Sequence, residues 1–93
     1  MEMQVTNRGF RYTEFTDRNG TKCSLQESSL ATEPAIWFGA SNLEVKEFTP
    51  GRGWNVVELS KGDVIGNQRM HLTQEQVRAL LPMLQRFAET GEL

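Results

Sequence analysis

The chain has 93 residues and a formal net charge of −2, from 10 Lys and Arg against 12 Asp and Glu. This length predicts one domain, residues 1–93, without room for a second independent core. Hydrophobic residues make up 38% of the chain and charged residues 24%, which excludes a disordered polar tract and a membrane span. The charge balance provides no global basic field, so we expect no nucleic-acid polymer as a partner.

The single cysteine, Cys23, excludes an internal disulfide and a zinc site built from cysteines, and it suits a reducing compartment. The first seven residues lack the basic start and the apolar stretch of a secretory signal. The longest apolar-rich run, residues 35–40, is much shorter than the roughly 20 residues that a membrane helix needs. We therefore expect a cytoplasmic protein without a membrane anchor.

The first predicted element is a β-hairpin. Its first strand, residues 10–15, is rich in aromatic and β-branched residues, and its second strand, residues 22–26, alternates in polarity. Asn19-Gly20 between them predicts a two-residue type I′ turn, because both central positions of that turn need positive φ. The alternation of the second strand directs Cys23 into the core and Ser24 toward solvent.

Four further strands are expected in the rest of the chain. Residues 35–38 are a continuous apolar run, which is typical of a strand covered on both faces and predicts a central place in the sheet. Residues 43–48 and 54–59 predict two more strands, and residues 61–63 predict a turn. Residues 69–72 read as a short final strand or an extended lead-in to a helix.

The C-terminal segment predicts a helix that begins after Thr73 and ends at Gly91. Thr73 and Gln76 match a capping box, and Gly91 suits the left-handed residue that ends a helix. Pro82 is expected to kink the helix or to alter its first half, because it removes one backbone hydrogen bond. Apolar residues recur at helical spacing and form one stripe, which consists of Val77, Leu80, Leu81, Leu84, Phe87 and Ala88.

These elements predict an α+β fold: an antiparallel sheet of four to six strands with the C-terminal helix packed on one face. One helix of about 16 residues cannot cover both faces of a sheet. Yet Phe15 is out of phase with Phe10 and Tyr12, and residues 36–38 are apolar in both directions. Two explanations are open. Either a second copy covers the other face, since two-fold homodimers are the commonest soluble oligomers, or a β-bulge near Glu14 restores the phase.

Few residues match the patterns of catalytic or metal sites. His71 is the only histidine, so we expect neither a metal site with paired histidines nor a supported Ser-His-Asp triad. Carboxylates beside basic residues, such as Glu44 and Glu47 next to Lys46, are typical of a solvated surface. We predict no catalytic residue, no metal and no cofactor, and hence a binding protein rather than an enzyme.

Two basic segments are candidates for anion binding. Residues 51–54, Gly-Arg-Gly-Trp, begin like a phosphate-binding loop, but a strand follows where a helix would begin, which excludes a dinucleotide-binding fold. This loop tip offers backbone amides, the Arg52 guanidinium and the Trp54 indole to a phosphorylated base; a plain hairpin loop is the alternative. A second basic cluster is predicted around the first hairpin, from Arg8, Arg11, Arg18 and Lys22.

Two parts of the chain carry a distinctive pattern. The first reads F-T-D-x-x-G-x-x-C-S-L-Q-E-S-S over residues 15–29, followed by I-W-x-G over 36–39. The second reads R-M-H-L-T over 69–73, L-L-P over 80–82 and T-G-E-L over 90–93. In these segments the chain resembles small uncharacterised phage and prophage proteins. The resemblance covers about two thirds of the chain and brings no established active site with it.

The resemblance implies a counter-defence protein, which acts by binding and needs no catalytic machinery. We expect it to sequester a nucleotide immune signal, such as a cyclic dinucleotide, in the cytoplasm of the infected bacterial host. A homodimer or higher oligomer would place aromatic and arginine side chains at its interfaces, where they stack bases and pair with phosphates. The candidate ligand-binding residues are Trp37, Arg52, Trp54, Arg69 and His71. For the two tryptophans, and above all for Trp37, packing is the alternative role.

Two other functions stay open. An inhibitor that masks a host defence protein would present an exposed apolar or acidic surface, for which the candidates are Glu27, Glu33, Glu44 and Glu47. A small nucleotide-degrading enzyme, such as a phosphodiesterase, is disfavoured by the single histidine and by the lack of metal-ligand spacing.

Overall fold

The computed structural model describes residues 1–59 and 66–93. In this part of the chain, seven strands and one helix follow each other: β1 (Gln4–Val5), β2 (Arg11–Thr16), β3 (Lys22–Glu27), β4 (Ala35–Ala40), β5 (Lys46–Thr49), β6 (Gly53–Val56), β7 (Arg69–Thr73) and α1 (Gln74–Thr90). The α+β class with one C-terminal helix is therefore confirmed. The turn predicted at 61–63 lies outside the described residues.

Five strands form the main sheet, in the order β1-β2-β3-β4-β7, and each neighbouring pair is antiparallel. Strands β5 and β6 pair separately as a two-stranded sheet. Strand β4 lies between β3 and β7, so the apolar run occupies an interior strand, as predicted. The register of β2 on β3 is unbroken from the Tyr12–Gln26 pair to the Thr16–Lys22 pair, which excludes a β-bulge at Glu14.

The loop between β2 and β3 differs from the predicted type I′ turn. Within the described residues every positive φ belongs to a glycine, so Asn19 is not left-handed and the prediction is wrong. The Asp17 carboxylate is the physical reason, because its Oδ1 accepts hydrogen bonds from the amides of Asn19 at 2.8 Å and Thr21 at 2.9 Å. These bonds hold a longer loop, in which the Gly20 amide donates to the Asp17 carbonyl and Gly20 has φ 87°.

The two faces of the main sheet differ in chemistry, because successive residues of a strand point to opposite sides. One face, which we call the apolar face, carries Phe15, Leu25, Ile36, Phe38, Met70 and Leu72. The other, which we call the polar face, carries Gln4, Tyr12, Gln26, Trp37, Arg69 and His71. The out-of-phase position of Phe15 is thus explained: its ring packs edge-on against Phe38 on the apolar face, with 6.0 Å between ring centroids.

Only three of the described residues are buried. Cys23 keeps 8% of its surface exposed, which confirms it as a core residue. Thr13 and Ser24 are each 7% exposed. The prediction that Ser24 faces solvent is wrong, because β3 is the middle strand and Ser24 lies between its register partners Glu14 and Gly39 on the polar face.

Helix α1 begins and ends as predicted. The Thr73 hydroxyl accepts a hydrogen bond from the Gln76 amide at 3.1 Å, and the Gln76 side chain accepts one from the Thr73 amide at 3.0 Å. Gly91, with φ 77°, ends the helix, and the helix is continuous through Pro82. Among the described elements, no helix is long and apolar enough to span a membrane.

The position of helix α1 differs from the prediction that this helix packs on one face of the sheet. Its main contact is with β7, the strand that leads into it, and none of its residues is buried. Thr73 is both the last residue of β7 and the N-cap of α1, so no linker is available to turn the helix back over the sheet. The predicted apolar stripe is therefore left exposed from Leu80 onward, while Val77 is half-buried.

Candidate functional site

A cleft of about 360 Å³ opens on the polar face, beside the loop that joins β1 to β2. The sheet contributes Gln26, Trp37 and Arg69 to its lining, and the loop contributes Arg8 and Phe10. We call this space the Trp37 cleft. The other lining residues are Thr6, Asn7, Glu27 and Ser29.

The Trp37 indole is held in place by its cross-strand neighbour. Trp37 on β4 and His71 on β7 are direct register partners, and their rings stack with centroids 3.8 Å apart and planes inclined by 6°. The His71 Nε2 atom is in turn hydrogen-bonded to the Ser28 hydroxyl at 2.8 Å. His71 does not line the cleft itself, so its contribution is to orient the indole that does.

Arg69 approaches the same indole, with its Cζ atom 5.1 Å from the centroid of the Trp37 ring. This distance is within the range of a cation–π contact. The register partner of Arg69 is Gly39, which has φ 151°. A Cβ atom at Gly39 would collide with the Gln68 carbonyl oxygen and lie 2.9 Å from the Arg69 Cα atom. The glycine thus permits the close approach of β7 that places Arg69 beside Trp37.

Arg8 is presented by a tight loop that closes on itself. The Thr6 amide donates to the Phe10 carbonyl at 2.7 Å, and the Gly9 amide donates to the Thr6 carbonyl at 2.9 Å. The Thr6 hydroxyl also accepts a hydrogen bond from the Phe10 amide at 3.0 Å. Gly9, with φ 89°, supplies the left-handed residue of this loop. The Arg8 Cζ atom lies 5.6 Å from the Phe10 ring centroid.

The lining of the Trp37 cleft carries two guanidinium groups, from Arg8 and Arg69, and one carboxylate, from Glu27. The Glu27 Oε1 atom accepts a hydrogen bond from the Arg11 amide at 2.6 Å. The two ion pairs found in residues 1–59 and 66–93 join other residues, Lys46 with Glu44 and Arg86 with Glu92. Both cleft arginines can therefore bind an anion without first breaking an ion pair of these described groups.

The structure brings together three of the five predicted ligand-binding residues, Trp37, Arg69 and His71. The other two belong to the separate sheet formed by β5 and β6 and do not line the cleft. Arg52 lies in the turn between these strands, where its amide donates to the Thr49 carbonyl at 2.9 Å. Trp54 is 69% exposed, and its ring lies 5.4 Å from that of Phe48.

The predicted basic cluster around the first hairpin does not assemble. Arg8 lies in the loop before β2 and Arg18 in the loop after it, so the two side chains start from opposite ends of this strand. Six residues of strand span about 20 Å, which separates the two loops. The sequence analysis assigned Arg8 to a different anion-binding cluster and missed Phe10 as a cleft residue, because β1 was not predicted. The signal was the sequence Thr6-Asn7-Arg8-Gly9, whose Asn and Gly are typical of a hairpin loop.

The residues considered for other functions lie on different elements. Glu27 lines the Trp37 cleft, Glu33 lies between β3 and β4, and Glu44 pairs with Lys46 ahead of Glu47 on β5. In the part of the chain that the structure describes, no group of three or more His, Cys, Asp or Glu side chains could hold a metal ion. Comparisons with family models, with curated proteins and with solved structures find no significant match to this chain.

Proposed function

We propose that this protein binds a nucleotide-type ligand in the Trp37 cleft and sequesters it without cleaving it. The observation that carries the proposal is the pairing of an oriented indole with two arginines in one cleft. An aromatic ring stacks on any base and contributes about 1–3 kcal/mol per base. His71 covers one face of the Trp37 indole, so the base would stack on the other face. A guanidinium group forms charge-assisted, bidentate hydrogen bonds with a phosphate. A phosphorylated base offers a ring that stacks on the indole and a phosphate that binds the guanidinium groups.

The resemblance to phage proteins supplies the biological setting of this proposal. In that setting the ligand is a nucleotide immune signal of an infected bacterium, with a cyclic dinucleotide as its simplest form. Sequestration rather than turnover is favoured by the lining of the cleft. Of the described residues in that lining, Glu27 is the only carboxylate, and it already accepts a hydrogen bond from the Arg11 amide.

The size of the cleft limits how much ligand one chain holds. Clefts for small molecules have volumes of roughly 300–1,000 Å³, and the Trp37 cleft, at about 360 Å³, is at the lower end of that range. We expect each cleft to hold one base with its adjacent phosphate. A ligand with two bases then either reaches two clefts or leaves its second base in solvent.

Native mass spectrometry tests the proposal. The purified protein is incubated with a panel of cyclic and linear nucleotides, and the mass of the bound species is measured immediately and after prolonged incubation. We expect one intact nucleotide at a fixed ratio to the protein, with no change of ligand mass over time. Release of a hydrolysed product would contradict sequestration, and an unliganded protein across the whole panel would contradict nucleotide binding.

A matched pair of variants assigns the bound mass to the cleft. Arg69→Ala removes a guanidinium that faces the cleft, and Arg52→Ala removes one from the separate two-stranded sheet. Because a hydrogen bond to a charged group contributes about 1.5–3 kcal/mol, we expect Arg69→Ala to weaken binding roughly tenfold or more. We expect Arg52→Ala to leave the affinity unchanged. A larger loss of affinity in Arg52→Ala than in Arg69→Ala would instead indicate a binding site at the β5–β6 turn.

A further inference from the structure

The chain exposes more surface than a compact protein of its size. Its accessible area is 8137 Å², against about 5,500 Å² expected for a compact monomer of this mass. Its radius of gyration is 16.5 Å, against about 12 Å for a compact domain of this length. The excess area is of the size that one partner buries in a large, permanent protein–protein interface.

Two extended apolar surfaces of the chain contribute to this exposure. One is the stripe on α1, where Leu81, Leu84 and Phe87 are each more than half exposed. The other is the apolar face of the main sheet, where Met70 is 51% exposed and the remaining apolar side chains are only half-buried. Apolar patches of this extent are rare on soluble monomers and mark a surface that is covered in the assembled protein.

The local structure at Thr73 prevents the helix from covering the sheet of its own chain. Thr73 ends β7 and caps α1, with a complete capping box to Gln76, so the strand passes into the helix without a linker. Leu72, just before the cap, and Val77, in the first turns of the helix, line the same pocket beside this junction. Turning the helix back would break these contacts. In residues 1–59 and 66–93 no other element packs on the apolar face, and a second copy of the chain can supply that cover.

The dimensions of the two surfaces match. A helix of 17 residues is about 25 Å long. Five strands are about 19 Å apart from first to last, at about 4.8 Å for each neighbouring pair. The helix is thus long enough to cross the whole apolar face. An exchange of helices between two copies covers both stripes and both faces at once, whereas pairing of stripe with stripe leaves the faces exposed.

We propose that two copies of this chain form a two-fold dimer by exchanging their C-terminal helices, each stripe packing on the partner's apolar face. Such an exchange closes on itself, because the same two surfaces meet twice around the two-fold axis. The dimer does not depend on the Trp37 cleft, which opens on the opposite face of the sheet. An experiment can therefore distinguish a failure to dimerise from a failure to bind nucleotide.

Sedimentation equilibrium with two lysine variants tests the assembly. Leu84→Lys places a charge in the stripe, and Ala79→Lys places the same charge on the opposite side of the same helix. Each dimer buries the leucine twice, so we expect Leu84→Lys to weaken dimerisation on the order of a hundredfold or more. We expect the unmodified protein and Ala79→Lys to sediment at twice the 10.6 kDa of one chain. A monomeric unmodified protein would overturn the proposal.

Cross-linking tests which surfaces contact each other in the dimer. It does not depend on whether the lysine variants fold. In a Cys23→Ala background, which removes the only natural thiol, one sample carries Met70→Cys and a second carries Leu84→Cys. The two samples are unfolded, mixed and refolded together, and a short bismaleimide reagent is added. We expect linked dimers that contain one chain of each kind. Links that join only Leu84→Cys chains to each other would show helix-to-helix packing and would overturn the exchange.

Discussion

The side chains on the two faces of the main sheet differ in whether they find packing and hydrogen-bond partners within the chain. On the polar face the chain supplies its own partners: the Tyr12 hydroxyl donates to Gln4 Oε1 at 2.7 Å, and Trp37 stacks on His71, which is bonded to Ser28. On the apolar face Met70 is half exposed, and the helix that was expected to cover it does not. A face completed within one chain can hold a preformed cleft, whereas an uncovered apolar face favours assembly.

Gly39→Ala disturbs both faces together and has the largest expected effect on stability. The new Cβ atom would collide with the Gln68 carbonyl, and φ 151° strains any residue other than glycine. We expect the free energy of unfolding to fall by about 4 kcal/mol, from overpacking and backbone strain. Urea denaturation measures this loss.

The control is Gly51→Ala, where φ is 84° but the space around the Cβ position is open. It incurs the left-handed strain without the collision, so we expect a loss of about 1 kcal/mol. Equal losses in the two variants would mean that β4 and β7 do not approach as closely as described.

Phe38→Ala tests the apolar face alone. Phe38 lies on the interior strand β4 and packs on Phe15, so its removal leaves a gap at the centre of this face. In the proposed dimer the partner's stripe covers Phe38, so we expect the free energy of unfolding of that dimer to fall by about 3 kcal/mol. Phe48→Ala, at a side chain 55% exposed on β5, serves as the control and should cost less than about 1 kcal/mol. Urea denaturation compares the two, and similar losses would contradict the assigned burial.

Much of this architecture follows from local patterns. The interior strand, the capping box and the C-terminal helix each depend on residues near in sequence, and all three were predicted. Strand β1 was missed because two residues, Gln4 and Val5, carry no alternation to detect. The type I′ turn was predicted from Asn19-Gly20 alone, but the Asp17 carboxylate decides the loop by binding two amides.

The candidate site was predictable only in part, because it depends on strand order. Trp37 and His71 are 34 positions apart in sequence, and the sequence marks each as a candidate without showing that β4 pairs with β7. Arg52 and Trp54 have the same chemistry, but β5 and β6 pair with each other and leave the main sheet. The position of the helix was predicted incorrectly, because an apolar stripe indicates that a surface is covered without indicating which molecule covers it.

Trp37→Ala tests the proposed nucleotide site on the polar face. Loss of a stacking ring reduces affinity by about 1–3 kcal/mol per base, so we expect nucleotide binding to weaken tenfold to about a hundredfold. Trp54→Ala removes the other tryptophan, which is 69% exposed and outside the cleft, and should leave the affinity unchanged. Isothermal titration calorimetry measures both, with circular dichroism as a check of folding. A larger loss in Trp54→Ala would place the ligand on the two-stranded sheet.

Thr73→Ala has the smallest expected effect and tests the junction between sheet and helix. It removes the hydroxyl that accepts from the Gln76 amide, which should cost about 1 kcal/mol of stability. Thr73→Ser keeps the hydroxyl and should retain most of that stability. Thermal denaturation followed by circular dichroism compares them. If the alanine and serine variants melt together, the capping box does not stabilise this junction.

The most direct test of nucleotide binding in the Trp37 cleft is tryptophan fluorescence. The chain has two tryptophans, so Trp54→Phe leaves Trp37 as the only one, and Trp37→Phe leaves Trp54. Titration with the nucleotide found by mass spectrometry should quench Trp37 emission saturably in the first protein and leave Trp54 emission unchanged in the second. Quenching of Trp54 with no change at Trp37 would contradict the assignment of the ligand to this cleft.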